Sequence, residues 1–342
     1  MRSALYAGNS TIVVEDRPPI APGPGQVQIA VAYTGICGTD LHILHGAMDH
    51  RVHTPQPIGH EMSGRIAALG PGVEDLTVGQ PVTVMPLDWC GTCPACHAGH
   101  SHICHRLNFI GIDTAGAMQQ RWNVAAKVVV ALPPELPLSY AALVEPTAVA
   151  VHDVRRAGLQ SGESAVVIGG GPVGVLIGLV ARSAGAQVTI LELDAHRRAV
   201  AEGLGLRTLD PAKQDVAAEV DAWTSHAGVA VAFEVSGSAS GVDTAVQLLA
   251  VRGRLVVVGL HNQRREVDLF RFFWRELTMI GARVYERRDY DTAIDLLTRG
   301  IVPADALISR IEPLDNAAAA FDALRRGGNV MKVLIDCQEA TA

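Results

Sequence analysis

Aromatic residues are scarce in this 342-residue chain, at 4%, too few for the stacked side-chain platforms on which single-stranded nucleic acid lies. Surplus positive charge is missing as well. A net charge of -7 repels phosphate backbones and anionic lipid, which excludes nucleic acid and membrane surface as expected partners and leaves small molecules. The opening Met-Arg-Ser-Ala-Leu-Tyr-Ala-Gly has no long apolar core of the secretory kind, so a cytoplasmic location is expected. Internal repeats and low-complexity segments are also lacking. Residues 165–181 carry no charge and have nearly the length of a membrane span, but three consecutive glycines and Pro172 interrupt them. That run reads as a buried strand, a tight turn and a buried helix.

What is present is the composition of a turn-rich globular protein, 49% hydrophobic with 34 glycines. The length exceeds what one core usually holds, so two domains are expected. Six cysteines divide into four clustered, Cys37 alone, and Cys337 near the end. In a reducing compartment this pattern indicates metal before disulfide.

From Ser3 to about Leu132, short β-type runs are broken by glycine and proline, with strands expected at 27–33, 65–69 and 81–85. Within this mostly-β lobe, Cys90, Cys93, Cys96 and Cys104 are separated by two, two and seven residues. Four thiolates close a tetrahedral shell with no open position, the design of a structural zinc. The nearby His97, His100, His102 and His105 are then expected to be solvated loop residues. Two other stretches offer a second ligand set. Cys37-Gly38-Thr39-Asp40-Leu41-His42 supplies a thiol, a hydroxyl, a carboxylate and an imidazole, and Gly59-His60-Glu61 adds two more metal-capable groups. Cys37 taken alone also reads as a small buried hydrophobe, and the other reading of His42 is a polar loop residue.

Beyond Pro146 the pattern alternates strand and helix. The apolar run Ala165–Ile168 suits a parallel strand covered on both faces. It leads into Gly169-x-Gly171-x-x-Gly174, with Pro172 and Val173 opening a helix, where glycines let backbone amides approach a pyrophosphate. A second strand, 188–191, ends in Glu192, eighteen residues after the last glycine, where a carboxylate binds adenosine ribose hydroxyls. The other reading of Glu192 is a solvated strand-end acid. Arg197, just behind it, is a candidate cofactor contact. Further strands are expected at 229–235, 255–258 and 278–281, making a doubly wound sheet. A helix at 290–298 and a strand at 332–335 form a tail expected to return to the first lobe.

Together with Val144-Glu145-Pro146, these motifs resemble the zinc-dependent medium-chain dehydrogenase family, in particular its polyol branch of sorbitol, butanediol and threonine dehydrogenases, over nearly the whole chain. The resemblance implies an α/β protein with a GroES-like, mostly-β catalytic domain at 1–146 and 286–342. Its structural zinc lobe covers about 88–106, and a Rossmann NAD-binding domain occupies 147–285, with the active site in the cleft between the domains. It implies one catalytic and one structural zinc per chain, and NAD as cofactor. Cys37, His60, Glu61 and Glu145 are then the catalytic metal set, with Asp40 orienting His60 and with Thr39 and His42 forming a proton relay. Ser236, Gly237, Val258, Gly259 and Leu260 correspond to the ridge against which NAD lies. Glu145 also reads as an acid stabilising a helix N-terminus. Gly170 and Gln119-Gln120 depart from the family pattern. The expected reaction is hydride transfer between a secondary alcohol (a polyol, sugar alcohol or vicinal diol) and NAD, in a homodimer or homotetramer. Two other readings stay open: a threonine 3-dehydrogenase, and a non-catalytic dinucleotide sensor in which zinc serves structure alone.

Overall fold

The computed structural model of the chain describes residues 1–339. Chain contacts divide the described residues into two compact units, one of 1–145 together with the residues from 293 onward, the other of 146–292. The expected boundary at 286 falls one residue before the helix Arg287–Thr298, whereas the contacts divide within that helix.

The first unit is built on a seven-stranded sheet among the described residues. Its order is Val129–Ala131, Pro81–Val84, Glu61–Leu69, Gln26–Gly35, Lys332–Asp336 and Ile308–Pro313, with Arg121–Ala125 also pairing with Gln26–Gly35. The central strand Gln26–Gly35 buries Val27, Ile29 and Val31 on one face, each such side chain contributing roughly 1.5–3 kcal/mol of burial free energy. The tail enters this sheet directly, because Lys332–Asp336 runs antiparallel to Gln26–Gly35 with Leu334 opposite Gly35. Glu61 faces Gly35 from the other side. Glu61 and the tail strand thereby share one neighbour, and that register positions the site described below. The strand Ile308–Pro313, paired in parallel with Lys332–Asp336, was not anticipated from the sequence. Its apolar alternation is interrupted by Arg310 and Glu312.

In the second unit six parallel strands take the order Arg207–Leu209, Gln187–Leu191, Ser164–Ile168, Val229–Glu234, Leu249–Val257 and Thr278–Gly281. Ser164–Ile168 sits centrally and its apolar residues are buried, as a strand covered on both faces requires. Val166, Leu191, Val229 and Leu255 pack with Val220, Val246 and Leu248 into one core. Strand order reverses direction around Ser164–Ile168, so the chain leaves adjacent strands toward opposite faces. Such a switch point opens a crevice at the carboxyl ends of the strands. Among the described residues no helix is long and apolar enough to cross a membrane.

Candidate metal centres and cofactor cradle

Cys37 ends the loop after the central strand and occupies the N-cap position of the short helix Gly38–Leu44. Its backbone N–H donates to the Asp40 carboxylate at 2.8 Å, a reciprocal cap that fixes the turn. Asp40 is fully buried, and its other oxygen lies 3.7 Å from His60 Nδ1. His60 is held edge-on against Phe109, with ring centroids 5.5 Å apart. Donor atoms of Cys37, His60 and Glu61 all lie within 4.8 Å of one another. A soft thiolate, an imidazole and a carboxylate at that spacing fit a zinc ion. Burial works against charge on His60, yet Asp40 and then Cys37 hold its proton well above the ordinary imidazole range. Metal loading would have to displace that proton.

Glu145 is buried in the first turn of the helix Val144–Arg156, outside this tight set. Its charge still acts on His60 and on Lys332. Thr39 and His42 are three residues apart on the helix Gly38–Leu44, hence on one side of it, and both are partly exposed. Lys332 was missed in the sequence. Its ammonium is buried and paired with the Glu61 carboxylate, and also donates to the Ile36 carbonyl at 3.1 Å. Although burial opposes its charge, Glu61 and then Cys37 raise its pKa above the ordinary lysine value.

In the loop between Asp88 and Asn108, the sulfurs of Cys90, Cys93, Cys96 and Cys104 converge, at 3.4 Å for Cys90–Cys104, 3.5 Å for Cys93–Cys96 and 3.8 Å for Cys93–Cys104. Tetrahedral zinc with bonds of about 2.3 Å sets its sulfurs roughly 3.8 Å apart. None of the four is in a disulfide. Backbone N–H groups of Thr92, Arg106 and Cys90 point at these sulfurs, as they do toward thiolates. The Thr92 N–H and other donors pull the Cys90 thiol down to about 5. Of the four histidines expected in solvent, His102 is instead buried, with its ring edge-on to His100.

In the second unit, Gly171 is the N-cap and Pro172 the first residue of the helix Pro172–Ser183, with Val173 next in its first turn. A Cβ on Gly174 would collide with the Gly169 carbonyl, and one on Gly170 would lie 2.9 Å from Glu192 Cβ, so the glycines let strand, helix and acid approach. Glu192 accepts from the N–H of Gly170 at 2.7 Å and of Asp194 at 2.8 Å. Arg197 Nη1 lies 3.9 Å from the same carboxylate. Ser236–Gly237 and Val258–Leu260 follow the next two strands at the same end of the sheet. The backbone therefore offers a cradle of the shape a dinucleotide pyrophosphate needs.

Residues 23–134 match the family described as alcohol dehydrogenase GroES-like domain, and residues 172–299 match zinc-binding dehydrogenase. The chain belongs to the zinc-dependent medium-chain alcohol and polyol dehydrogenases. Among its relatives in that family, the 2-dehydro-3-deoxy-L-galactonate 5-dehydrogenase of Pseudoalteromonas atlantica is 48% identical, over 98% of this chain and 99% of that one. L-galactonate-5-dehydrogenase of Escherichia coli is 31% identical, over 91% of each. The crystal structure of 2R,3R-butanediol dehydrogenase from Bacillus subtilis superposes with a TM-score of 0.91 at 31% identity, covering 98% of this chain and 99% of that one. This dehydrogenase is accordingly an oxidoreductase acting on alcohols.

Proposed function

We propose that the chain is an NAD-dependent sugar-acid dehydrogenase, which oxidises a secondary hydroxyl of a polyhydroxy carboxylate to the ketone. The observation that carries this reading is the convergence of Cys37, His60 and Glu61, the latter two buried, in a chain 48% identical, end to end, to a dehydrogenase of a deoxy-galactonate. Cys37 and His60 would hold a zinc, with Glu145 or Glu61 as the carboxylate. When bound, zinc supplies Lewis acidity that lowers an alcohol's pKa, as it lowers that of water from 15.7 to about 7, and the nicotinamide accepts the hydride. The protein's own groups manage geometry and protons. Asp40 fixes the ring of His60, the role of a carboxylate behind a ligand imidazole. Thr39 relays the hydroxyl proton and the His42 imidazole passes it outward.

In the second unit, Gly169, Gly171, Pro172, Val173 and Gly174 would receive the pyrophosphate, Glu192 the adenosine ribose, and Ser236, Gly237, Val258, Gly259 and Leu260 the nicotinamide half. We place the protein in the cytoplasm, where four thiols this close stay reduced. Self-association is also part of the proposal, since Thr278–Gly281 is an edge strand beside a helix that exposes three aromatic rings.

The test is NADH formation by zinc-loaded protein with 2-dehydro-3-deoxy-L-galactonate, L-galactonate, sorbitol, butanediols and threonine in parallel. Turnover on the sugar acids well above the neutral polyols supports the proposal. Preference for threonine would move the chain to the threonine branch. No turnover on any member would favour a dinucleotide sensor.

A further inference from the structure

At the carboxyl end of Val229–Glu234 the last residue, Glu234, is fully buried and faces four hydrogen-bond donors. Its Oε1 accepts from Ser236 N at 3.0 Å, Ser236 Oγ at 2.5 Å and Gly237 N at 3.0 Å. Its Oε2 accepts from His261 Nε2 at 2.8 Å. The Glu234 backbone carbonyl meanwhile accepts from Val258 N at 2.9 Å and Gly259 N at 2.8 Å. One residue thus fastens both loops, 236–237 and 258–260. The fit is close, because a Cβ on Gly259 would lie 2.6 Å from Gly237 N and 2.9 Å from Glu234 Oε2.

The chain of donors continues outward in one direction only. Arg265 Nε donates to His261 Nδ1 at 3.1 Å, and Arg265 Nη2 donates to the Gly237 carbonyl at 3.1 Å. A guanidinium has no acceptor, so His261 Nδ1 must accept and its proton must sit on Nε2, aimed at Glu234. Donor-only arginine, relaying imidazole and acceptor-only carboxylate form a series that cannot be reversed. Arg265 therefore closes a ring from the Gly237 loop, through His261 and Glu234, back to Gly237.

We propose that Glu234, His261 and Arg265 are positioning residues for the dinucleotide, setting the mutual placement of the Ser236–Gly237 and Val258–Leu260 loops before cofactor arrives. This rests on the reading of those loops as the nicotinamide-side surface. Pre-set loops spare binding the ordering cost it would otherwise meet, so loosening the ring should weaken dinucleotide affinity more than it weakens the fold.

The experiment titrates NADH by its fluorescence into the zinc-loaded wild type and into His261→Phe, His261→Gln and Arg265→Met, with thermal unfolding and dinucleotide KM measured on each. Glutamine keeps a donor for Glu234 and an acceptor for Arg265; phenylalanine keeps neither. His261→Phe should raise the NADH dissociation constant about tenfold or more, since it breaks a hydrogen bond to a charged group. Its alcohol KM should stay near normal, and His261→Gln should restore most of the affinity. Unchanged NADH affinity in folded His261→Phe would overturn the proposal, as would failure of glutamine to rescue. If His261→Phe does not fold, Arg265→Met decides in the same way. A wild type that binds no NADH would overturn this proposal together with the reading of the loops. Normal binding by wild type and by the folded phenylalanine variant would overturn this one alone.

Discussion

Lys332 and Glu61 form an ion pair in the first unit with side-chain exposures of 4% and 1%. Removing one member of such a pair leaves an uncompensated buried charge, at a cost of about 3–5 kcal/mol. Lys332→Met should therefore lower stability by that order. Glu61→Gln on the same background should recover part of the loss, with a coupling energy of about 1–3 kcal/mol. A double-mutant cycle in denaturant on zinc-loaded protein measures this, and additive effects would show that the two charges act independently.

Two separate donor sets lead to the expectation of two zinc ions per chain. Cys96→Ser should remove one equivalent by elemental analysis and lower the unfolding temperature by several degrees, because structural zinc contributes to folding free energy. Cys37→Ser should remove the other equivalent and leave the unfolding temperature nearly unchanged. Its turnover should fall more than about 100-fold, beyond the range typical of outer-shell partners. A single equivalent in the unaltered protein would refute the pair of sites.

What could be read in advance follows the range of each interaction. The four clustered cysteines and the glycine run act through neighbours a few residues away, so spacing alone exposes them. Cys37, Asp40 and His42 are similarly local, lying within or beside one short helix. Lys332 is different: it stands in the apolar run Val330-Met331-Lys332-Val333-Leu334-Ile335, and only the register that sets Gly35 between Glu61 and Leu334 reveals its partner. A lone lysine inside a buried strand was the available signal. Glu234 and His261 were hidden for the same reason, since they meet only when adjacent parallel strands bring their carboxyl ends together. His102 ran against composition, because a tightly folded loop buries a polar ring that its sequence neighbours suggest is solvated.

A carboxyl group in the second unit should couple stability to pH. Asp153 is buried with Oδ2 unpartnered, and burial, then the charge of Asp289, raises its pKa well above the ordinary range. Asp289 shifts the other way: burial opposes its charge, but hydrogen bonds from His152 and Arg155 hold its pKa far below that range. With a raised folded pKa, Asp153 keeps its proton in the fold while the unfolded chain releases it above pH of about 4. Stability is therefore fully present below that pH and is lost as pH rises toward the folded value. Asp153→Asn should match the wild type near pH 4 and unfold at higher temperature at pH 7–8, each kcal/mol adding about 2–4 °C. A gain that is equal at both pH values would assign the effect to packing.

The exposed rings of Phe270 (70%), Phe273 (76%) and Trp274 (72%) lie on the helix Leu269–Arg275, next in sequence to the edge strand Thr278–Gly281. Apolar surface of this kind, beside unpaired strand N–H and C=O groups, suits a second copy of the chain. Light scattering at micromolar concentration should give a dimer or larger species, and Phe273→Asp combined with Met279→Asp should reduce the mass toward one chain. A wild-type monomer would contradict the assembly.

Cofactor choice should rest on Glu192 and its basic neighbours. The Glu192 carboxylate is anchored at the glycine turn by the N–H groups of Gly170 and Asp194. An acid fixed there accepts ribose hydroxyls and meets a 2'-phosphate with like charge, which favours NAD over NADP. Arg198 is committed elsewhere, donating to the carbonyls of Glu192 and Leu193 and pairing with Asp210 at 3.0 Å. Arg197 is the less engaged cation, 40% exposed and 3.9 Å from Glu192. Glu192→Ala should therefore raise the KM for NAD about tenfold, the loss of a hydrogen bond to a charged group. The same change should improve use of NADP, because Arg197 is released toward the phosphate. Adding Arg197→Ala should abolish that gain while leaving NAD use where the single change put it. Steady-state kinetics with both dinucleotides checks each step. Equal efficiency with NAD and NADP in the unaltered protein would remove Glu192 from the role, and an NADP gain that survives loss of Arg197 would place the phosphate on another group.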